Sequence, residues 1–403
     1  MPQLAFKPRV LCFASWFLPG FQAGGPVRSL LRTCEWLQDD FDFRVVTRDT
    51  DLGATTPYPN LTPGRWYPAG PAQVWHLTAP YWRPSILRAV VADARPDLLY
   101  FHSFMDPALG ITPMVLRRLG LLAPGVPVLL APRGEFSPGA LGLKSRKKAA
   151  YLRFAGATGV YRDVTWQATD AQEAGYIRAQ WGPEAQVQIA PNLPPRAEEA
   201  STGGERLPKQ AGTLRLVFLS RISPMKNLTG ALRALATLTT PASLDIYGTL
   251  EDKDYWGECE RLIRALPGHI QVRYRGWVQP EAVIGVLSGY DAFLLPSLGE
   301  NFGHVILEAL LAGCPVVLSD RTPWRDLTAE RVGFDVSLAE PAPLAAALSQ
   351  LASLGPTEFA LWGAAARAYG LRYCHNPDLP LKARSILEFA MAPRRAGERS
   401  RAK

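Results

Sequence analysis

The chain has 403 residues, 47% of them hydrophobic and 20% charged, and it carries a net charge of +8. This length predicts two domains, and the composition is typical of a soluble globular protein. No apolar run reaches the roughly 18 residues of a membrane-spanning helix, which excludes a protein that crosses a bilayer in that way. The positive charge suits an anionic ligand, a membrane surface or nucleic acid, and does not choose among them.

The N-terminal stretch is apolar and carries two early positive charges, yet it lacks a small-residue cleavage site. We interpret residues 10–16 as a first strand and not as a signal peptide. The five cysteines are scattered, and no two have the spacing of a metal site. They predict buried thiols in a reducing compartment and therefore a cytoplasmic protein.

A glycine pair follows this first strand. A helix is predicted from about Val27 to Leu37, and Gly24 and Gly25 lie between the strand and the helix. Glycine lets backbone approach a ligand closely, as in other loops that join a strand to a helix. A plain tight turn would contain the same residues, so the position after the first strand is what favours a binding loop.

A histidine ends a further strand of the first half. Strands are predicted at 43–47 and 72–77, with a long surface loop over 49–71 between them. After a helix at 84–94, an apolar strand ends at His102. Ligands bind at the carboxyl ends of strands in open α/β sheets, which makes His102 a candidate active-site residue. The alternative is a histidine that only bonds a neighbouring carbonyl.

A charged loop and a basic helix follow the strand predicted at 126–131. The loop contains Arg133 and Glu135 among glycine and proline residues. Five cations between Lys144 and Arg153 are interleaved with apolar residues. Such a basic amphipathic helix can lie on an anionic membrane, attract an acidic acceptor, or be an ordinary surface helix.

Two cations flank the first loop of the second half. Residues 196–212 are polar and almost without apolar periodicity, which predicts a linker. The α/β alternation then restarts with a strand at 214–219. Arg221 and Lys226 flank a loop that opens a helix at Leu228. Both cations can converge on one diphosphate, because arginine binds as a fork and lysine as a point charge.

Two glycine turns end further strands. Gly248 follows the strand predicted at 243–247, at a position where backbone can approach a ligand. Gly276 precedes Trp277 after the strand predicted at 270–274. Trp277 either stacks on a ligand ring or packs within the fold.

The most specific stretch spans residues 296–310. A buried strand ends there, a polar loop with glycine follows, and an apolar helix is predicted from about Gly303. A helix that starts after a strand is a phosphate-binding geometry, because its free N–H groups and its dipole favour an anion. Glu300 lies before this helix and Glu308 lies within it.

The boundaries predict two α/β domains. The first covers residues 1–195 and the second 213–376, joined by the linker at 196–212. A last helix is predicted at 377–391, followed by a basic tail at 392–403.

Two strings carry a resemblance to a known family. PSLGENFGHVILEALLAGCPVV contains two glutamates separated by seven residues, and RISPMKN contains an arginine and a lysine separated by four. Together they resemble the E-x7-E and R-x4-K signatures of the retaining glycosyltransferases of family 4, glycosyl transferase group 1. The resemblance implies the GT-B fold, in which two Rossmann-like domains face each other across a cleft and the last helix crosses back to the N-terminal domain.

The resemblance also implies roles for the residues singled out above. Catalysis is expected from His102, Arg221, Lys226 and Glu300. The nucleotide-sugar donor is expected to contact Gly24, Gly25, Arg221, Lys226, Gly248, Trp277, Glu300, Asn301, Phe302, Gly303 and Glu308. In this set Glu308 would bind the ribose and Glu300 the sugar. Arg133 and Glu135 match a loop that faces the acceptor in some family members.

The implied reaction moves a sugar, with retention of configuration, from a nucleotide-diphosphate donor to a saccharide or lipid-linked saccharide acceptor. Surface polysaccharide or glycoconjugate synthesis is the expected setting. Arg221, Lys226 and the helix start at Gly303 would stabilise the charge on the leaving diphosphate. No Asp-x-Asp cluster stands out, so neither a metal nor a cofactor is expected. The basic helix adds the expectation of peripheral association with an anionic membrane, at the inner face of the cytoplasmic membrane.

Other functions share some of these features. A nucleotide-sugar-binding protein or an epimerase would have the same fold, but an epimerase is not expected to carry both motifs together. A basic nucleic-acid-binding protein is of a different class. The cations of this chain do not form one long stripe with regular aromatics, and no helix-turn-helix or zinc pattern is present, so nucleic acid is not an expected partner.

Overall fold

The protein is described by a computed structural model that covers residues 7–62, 64–81, 83–142, 145–196, 206 and 208–392. The chain forms two compact units. The first consists of Met1–Phe21, Pro26–Leu193 and Pro377–Lys403, and the second of Gln22–Gly25 and Pro194–Asn376. The tail from residue 393 and most of the predicted linker lie outside the described residues.

The first unit is built on an eight-stranded sheet. Its strands are β1 (Arg9–Phe13), β2 (Asp42–Arg48), β3 (Trp66–Ala69), β4 (Ala72–Leu77), β5 (Leu98–Phe101), β6 (Val128–Leu130), β7 (Val164–Ala168) and β8 (Val187–Ile189). They lie in the order β3-β4-β2-β1-β5-β6-β7-β8. All neighbouring pairs are parallel except β3 and β4. Strand β5 is buried along its whole length, as expected of a parallel strand covered on both faces.

Helices connect these strands. They are α1 (Gly25–Leu37), α2 (Pro84–Ala94), α3 (Thr112–Arg118), α4 (Pro138–Gly142), α5 (Ser145–Thr158) and α6 (Ala171–Trp181). A π-helical turn, Pro107–Ile111, precedes α3. Asp106 caps this turn by accepting hydrogen bonds from the N–H groups of Ala108 and Leu109.

The second unit repeats the pattern with a six-stranded, all-parallel sheet. Its strands are β9 (Leu214–Leu219), β10 (Ala242–Tyr247), β11 (Ile270–Tyr274), β12 (Ala292–Leu295), β13 (Val316–Ser319) and β14 (Gly333–Val336). Its helices are α7 (Leu228–Ala236), α8 (Lys253–Arg264), α9 (Val283–Ser288), α10 (His304–Leu311), α11 (Ala342–Ser353) and α12 (Pro356–Cys374). The order β11-β10-β9-β12-β13-β14 is that of a doubly wound Rossmann sheet. The prediction of two parallel α/β domains is thereby confirmed.

The last helix, α13 (Asp378–Met391), belongs to the first unit. It contacts β5, β6 and β8. Its buried face includes Leu379, Ile386 and Leu387. This apolar stripe at helical spacing is what attaches the end of the chain to the first sheet.

Both sheets have a point at which the strand order reverses, and such switch points are where open α/β sheets bind ligands. In the first unit the point lies between β1 and β5. There the N–H of His102 donates to the carbonyl of Phe13 at 3.0 Å. In the second unit it lies between β9 and β12, whose carboxyl ends lead into residues 220–227 and 296–303. Of the predicted site residues, His102 follows β5, Arg221 and Lys226 follow β9, and Glu300 follows β12. These are strands that flank the two switch points.

The prediction of a surface loop over 49–71 is wrong in part. The segment contains β3, which pairs antiparallel with β4 and places the rings of Trp66 and Trp75 5.4 Å apart. Its first residues are buried, since Asp49 is only 4% exposed. Pairing with β4 creates this strand, and such long-range pairing is not visible in a local pattern that is rich in proline and glycine.

The sequence composition predicted buried thiols and no membrane-spanning helix. All five cysteines are buried thiols, as predicted. Among the helices of the described ranges, none combines the length and the apolar character needed to cross a bilayer.

Candidate active site

Two loops meet at the carboxyl edge of the second sheet. One follows β9 over residues 220–227 and the other follows β12 over residues 296–303. The N–H of Leu298 donates to the carbonyl oxygen of Met225 at 2.8 Å, and Ser297 Oγ donates to the same oxygen at 3.0 Å. These bonds hold the two loops side by side without the help of a ligand.

The loops bring Lys226 and Glu300 together. Lys226 Nζ lies 2.6 Å from Glu300 Oε2, and the two side chains are 12% and 13% exposed. Asn227 supports the pair, because its Nδ2 donates to the carbonyl of Pro296 at 2.9 Å. A charge-assisted hydrogen bond in such a sheltered place is one of the stronger polar contacts. The switch point therefore holds one cation and one carboxylate within reach of the same ligand.

Arg221 follows β9 as predicted, but its partner was not among the predicted residues. Its guanidinium lies 2.9 Å from Glu251, and both side chains are about one-third exposed. A surface pair of this kind contributes about 1 kcal/mol or less. A phosphate group can therefore replace Glu251 at little cost, and the convergence of Arg221 and Lys226 on one diphosphate stays a prediction.

Gly248 is explained by backbone crowding. Its φ is +142°, and a Cβ at this position would lie 1.8 Å from the carbonyl oxygen of Ser220. Its N–H donates to the carbonyl of Gly276 at 2.7 Å, and its own carbonyl accepts from Tyr274 Oη at 2.7 Å. The glycine lets the end of β10 pass directly against the loop that carries Arg221. Contact of Gly248 with a nucleotide-sugar donor stays a prediction.

Trp277 lies just beyond this crossing. Its side chain is 51% exposed, so much of the indole faces solvent instead of packing within the fold. It follows Gly276, whose φ of +79° sets a turn that most side chains would resist. This exposure favours the stacking interpretation over the packing one.

Phe302 anchors the loop before α10. It is only 6% exposed, and its ring lies 5.4 Å from that of Trp324 and 5.5 Å from that of Tyr373. Its carbonyl oxygen accepts a hydrogen bond from Trp324 Nε1 at 2.6 Å. The side chain thus belongs to an aromatic cluster. Only the backbone of Phe302 is left to contact a nucleotide-sugar donor.

The helix α10 starts immediately after this anchor. Gly303 forms the N-cap with a φ of +75°, and a Cβ there would lie 2.5 Å from Ile306 Cδ1. Asn301 before the cap and Glu308 within the helix are half-buried. Glu308 lies four residues after His304 and hence on the same side of the helix. The predicted order of loop, glycine cap and glutamate is therefore present.

Gly24 and Gly25 lie in the short segment that groups with the second unit. Gly24 has a φ of +67°, and a Cβ there would meet no atom within 4 Å. The backbone angle, and not crowding, is therefore what this glycine satisfies.

The first unit contains a polar network at the carboxyl ends of β5 to β8. Arg133 is its centre, and its guanidinium donates to Tyr100 Oη and His102 Nδ1, each at 3.3 Å, and to Asn192 Oδ1. The hydroxyl of Tyr100 donates in turn to Gln167. Four neighbouring strands thus contribute to one site. Arg133 and His102 were predicted separately, and the structure brings them together.

The network sets the protonation of His102. A guanidinium can only donate, so Nδ1 must accept and the neutral ring carries its proton on Nε2. His102 is 6% exposed, and its Nε2 has no hydrogen-bond partner among the described residues. Burial, and then the charge of Arg133, lower the pKa of His102 well below 6.5. The imidazole ring is therefore neutral, and its Nε2 can donate a hydrogen bond but cannot act as a base.

Glu135 is engaged within its own unit. Its carboxylate accepts from Ser103 Oγ at 2.8 Å and from the N–H groups of Phe104 and Met105 at 2.6 and 3.1 Å. Burial raises the pKa of Glu135 to about 7, against the lowering effect of these hydrogen bonds. The residue ties the loop after β6 to the loop after β5, and its predicted contact with an acceptor stays a prediction.

A further group of polar and aromatic side chains was missed by the sequence analysis. Arg48 lies 2.6 Å from Asp106, and its guanidinium lies over the rings of Trp16 and Tyr81, 5.0 and 5.2 Å from their centroids. We call these four residues the Arg48 group. They follow β1, β2, β4 and β5 or end them, and so share the edge of the sheet that carries His102. The rule that pointed to His102 also applies to Arg48 at the end of β2.

Two family models match the chain. One is described as glycosyl transferase 4-like domain and matches residues 24–192, and the other as glycosyl transferases group 1 and matches residues 205–365. The first match lies mainly in the first unit and the second match in the second unit. Together they account for most of the chain.

Curated relatives are similar over shorter segments. The O-antigen chain mannosyltransferase B of Escherichia coli is 33% identical over 112 residues, which are 26% of this chain and 28% of the relative. The phosphatidyl-myo-inositol mannosyltransferase of Mycobacterium leprae is 30% identical over 153 residues, 36% of this chain and 40% of the relative. The chain therefore matches well under half the length of these relatives.

Solved structures show the same fold. Anabaena HepE, solved in complex with UDP and glucose, has a TM-score of 0.65 and 17% identity, over 95% of this chain and 99% of that one. At this identity the likeness concerns the fold alone, which is GT-B. Taken with the two family models, it shows that the chain belongs to the group 1 glycosyltransferases of the GT-B fold, with a glycosyl transferase 4-like domain followed by a group 1 domain.

Proposed function

We propose that this glycosyltransferase moves a sugar, with retention of configuration, from a nucleoside-diphosphate sugar to a saccharide or lipid-linked saccharide acceptor. The observation that carries the proposal is the Lys226–Glu300 pair at the switch point of the second sheet. A donor of this class has an anionic diphosphate beside a hydroxyl-rich sugar, and it needs a cation and a carboxylate side by side. The UDP and glucose of the HepE complex are ligands of this class.

The bond between the anomeric carbon and the diphosphate oxygen breaks in this reaction, and a bond from that carbon to the acceptor oxygen forms on the same face. The acceptor hydroxyl proton passes to the leaving diphosphate. Lys226 binds the diphosphate and stabilises the charge that grows on it, with Arg221 as the second cation. Glu300 accepts hydrogen bonds from the sugar hydroxyls, and Glu308 accepts from the ribose.

His102 takes part as a hydrogen-bond donor in this proposal. Its neutral ring offers the Nε2 proton to a hydroxyl of the ligand, because Nδ1 is held by Arg133. A lowered pKa keeps the ring neutral around pH 6.5. Turnover should therefore show no titration of His102 near that pH, and a profile that follows an ordinary histidine would contradict this role.

The Arg48 group is our candidate for acceptor recognition. Asp106 is 7% exposed on its side chain and accepts from Ser15 Oγ, from Arg48 and from two backbone N–H groups, so it holds the guanidinium rigidly. Trp16 and Tyr81 are half-buried and offer ring faces of the kind that pack against sugars. The mannosyltransferase names of the two relatives, one of an O-antigen chain and one of a phosphatidyl-inositol, support a glycan or lipid-linked acceptor.

A thermal-shift screen tests the donor class. Purified protein is heated with UDP, GDP or ADP and with their sugars, with and without EDTA. Binding to the native state raises its stability by about 2.7 kcal/mol at a hundred times the dissociation constant. We expect a shift with one nucleotide, unchanged by EDTA because Lys226 and Arg221 take the role of a metal ion, and reduced in Arg221→Ala. Transfer to a sugar acceptor is then followed by product analysis, which also reads the anomeric configuration.

Arg233→Ala is the matched control, because Arg233 also forms a surface ion pair with a glutamate in this unit. An equal loss of nucleotide binding in both variants would contradict the role of Arg221. A shift that disappears in EDTA would contradict metal independence. No shift with any nucleotide, together with a salt-sensitive shift with oligonucleotides, would contradict the transferase proposal itself.

A further inference from the structure

We propose that Glu135 is a positioning residue for the Arg48 group, and that its ionised carboxylate is the form that holds this group in place for the acceptor. The inference rests on the proposed acceptor role of the Arg48 group. It gives Glu135 an indirect role instead of a contact with the acceptor. Its basis is a series of hydrogen bonds that runs from Glu135 along the carboxyl edge of the first sheet.

The first bonds of the series fix the loop after β5. The carboxylate of Glu135 accepts from Ser103 Oγ at 2.8 Å and from the N–H groups of Phe104 and Met105 at 2.6 and 3.1 Å. All three donors belong to one short segment of the chain. The carboxylate therefore sets the position of residues 103–105 relative to the loop after β6, which carries Glu135 itself.

The next bonds lead from Ser103 to the Arg48 group. The N–H of Asp106 donates to Ser103 Oγ at 3.1 Å, so one hydroxyl joins Glu135 to Asp106. The side chain of Asp106 accepts in turn from Ser15 Oγ and from the guanidinium of Arg48. The path from Glu135 to Arg48 thus runs through two residues only, Ser103 and Asp106.

The hydrogen bonds at Glu135 suit its ionised form. A carboxylate accepts all three bonds, whereas a protonated carboxyl group must donate its own proton and loses one of them. Among the described residues, the titratable groups that act on Glu135 are Asp106, Tyr151 and Tyr161, and none of the three is a cation. Burial raises the pKa of Glu135 to about 7. Proton uptake near this pH therefore loosens the loop that carries Asp106.

Amide hydrogen exchange tests the inference without any ligand. Exchange of residues 103–106 in the wild type is compared with exchange in Glu135→Gln, which cannot ionise, from pH 6 to pH 8. The ratio of the two rates cancels the intrinsic effect of pH on exchange. We expect the variant to exchange about tenfold faster at pH 8, through loss of a hydrogen bond to an ionised group, and equally fast at pH 6. A ratio that is the same at every pH would overturn the inference.

Kinetics tests the link to the acceptor. The probes are the octyl glycosides of glucose, galactose and mannose, and the one that yields most product is used. The ionised fraction of Glu135 is about tenfold smaller at pH 6 than at pH 8, so the KM for the probe should be about tenfold higher at pH 6. Turnover at saturating probe should change little. A KM that does not change with pH would overturn the inference.

Two variants assign this pH dependence to Glu135. In Glu135→Gln the KM for the probe should be high at every pH. In Ser103→Ala, which lacks the hydroxyl between Glu135 and Asp106, it should rise about tenfold at pH 8. Burial lowers the pKa of His76 and of His102 below 6.5, so a midpoint near pH 7 belongs to neither. A midpoint that persists in Glu135→Gln would overturn the inference.

Glu173→Gln is the matched control. Glu173 is also buried, and its carboxylate accepts from the N–H of Gly134 at 2.6 Å and from the N–H and Oγ1 of Thr169, each at 2.8 Å. It joins the loop after β6 to the end of β7 and not to Asp106. This variant should keep the midpoint of the wild type, and its loss in both glutamine variants would overturn the inference. The nucleotide screen reports separately on the proposed function, since it involves no acceptor.

Discussion

Lys226 and Glu300 are the residues on which the proposed donor site depends most. In the proposed reaction Lys226 stabilises the leaving diphosphate, so Lys226→Ala should lower kcat about a hundredfold. Nucleotide affinity should fall less, because Arg221 and backbone groups remain. Steady-state kinetics with the nucleotide sugar found in the screen measures both effects.

The control for Lys226 is Lys253→Ala, which removes an exposed lysine at the start of α8. Similar losses of kcat in the two variants would contradict the diphosphate assignment. Because Lys226→Ala leaves Glu300 without its ion pair, the melting temperature of each variant is compared first. A Lys226→Arg variant keeps the charge and should retain more turnover than the alanine variant.

The raised pKa of Glu135 predicts that the free energy of unfolding changes with pH. Its pKa is 4.5 ordinarily and about 7 in the folded chain, so between these values the folded state binds more protons than the unfolded one. Stability contributed by the protonated form is complete below pH 4.5 and is lost as the pH rises through 7. The Glu135→Gln variant does not lose stability in this way, because glutamine does not ionise. Its melting temperature relative to the wild type should therefore rise across that window.

Thermal unfolding at a series of pH values measures this difference. Glu281→Gln serves as the control, because Glu281 is exposed and its substitution should change the melting temperature equally at all pH values. A constant difference for Glu135→Gln as well would mean that the carboxyl group ionises normally in the fold.

At the scale of elements, the end of β10 lies directly against the loop that follows β9, next to the candidate site. A Cβ at Gly248 would lie 1.8 Å from the Ser220 carbonyl oxygen, which belongs to backbone and cannot rotate away. Gly248→Ala should therefore destabilise the second unit by about 3 kcal/mol. Urea unfolding followed by circular dichroism measures the change.

Gly257→Ala is the matched control for this substitution. Gly257 lies inside α8, and a Cβ there would meet no atom within 4 Å. Alanine is the better helix former, so this variant should gain up to about 1 kcal/mol. Opposite signs for the two alanines are the expected result. A neutral Gly248→Ala would show that the crossing relaxes easily.

We expect the Arg48 group, which lies at the ends of β1, β2, β4 and β5, to bind the acceptor. Arg48→Lys removes the guanidinium that contacts Asp106 and lies over the rings of Trp16 and Tyr81, but it keeps the charge. It should raise the KM for the acceptor about tenfold, by loss of a contact of about 1.4 kcal/mol. Hydrolysis of the nucleotide sugar without acceptor should stay unchanged. Arg44→Lys on the same strand is the control, since Arg44 pairs with Asp42 away from this edge. Equal changes in both variants would contradict acceptor recognition by the Arg48 group.

At the scale of the whole molecule, each unit has its own hydrophobic core, so we expect the two units to unfold separately; α13 belongs to the first. Removing residues 377–403 exposes the sites of Leu379, Ile386 and Leu387. Each buried side chain of this size contributes about 1.5–3 kcal/mol, so the first unit should lose about 5 kcal/mol or more. The second unit should keep its melting temperature. Calorimetry of the truncated chain separates the two transitions.

A chain that ends at Ala392 is the control for this truncation. It lacks only residues beyond α13 and should unfold like the full chain. If truncation at Asn376 leaves both transitions in place, α13 does not stabilise the first unit as its buried face indicates. Loss of the transition of the second unit alone would contradict the assignment of α13.

Much of the architecture follows from the sequence alone. Apolar runs punctuated by glycine and proline predicted β4, β9 and α2 within a residue or two, because local periodicity depends on near neighbours. The two motifs predicted the family for the same reason, since each is a short strand, loop and helix start. The loop of Glu300 and the end of β5 at His102 therefore lie where the local pattern placed them.

Tertiary structure decided which of these residues meet. The partners Lys226 and Glu300 are 74 residues apart, and Arg133 and Asn192 are 59 apart. Strand β3 and the buried start of the segment 49–71 likewise depend on pairing with β4. Such contacts follow from strand order and side-chain packing, which a local pattern does not encode. The sequence by itself determined the residues of the candidate donor site. The order of strands in each sheet decided which residues meet, both in that site and in the Arg48 group.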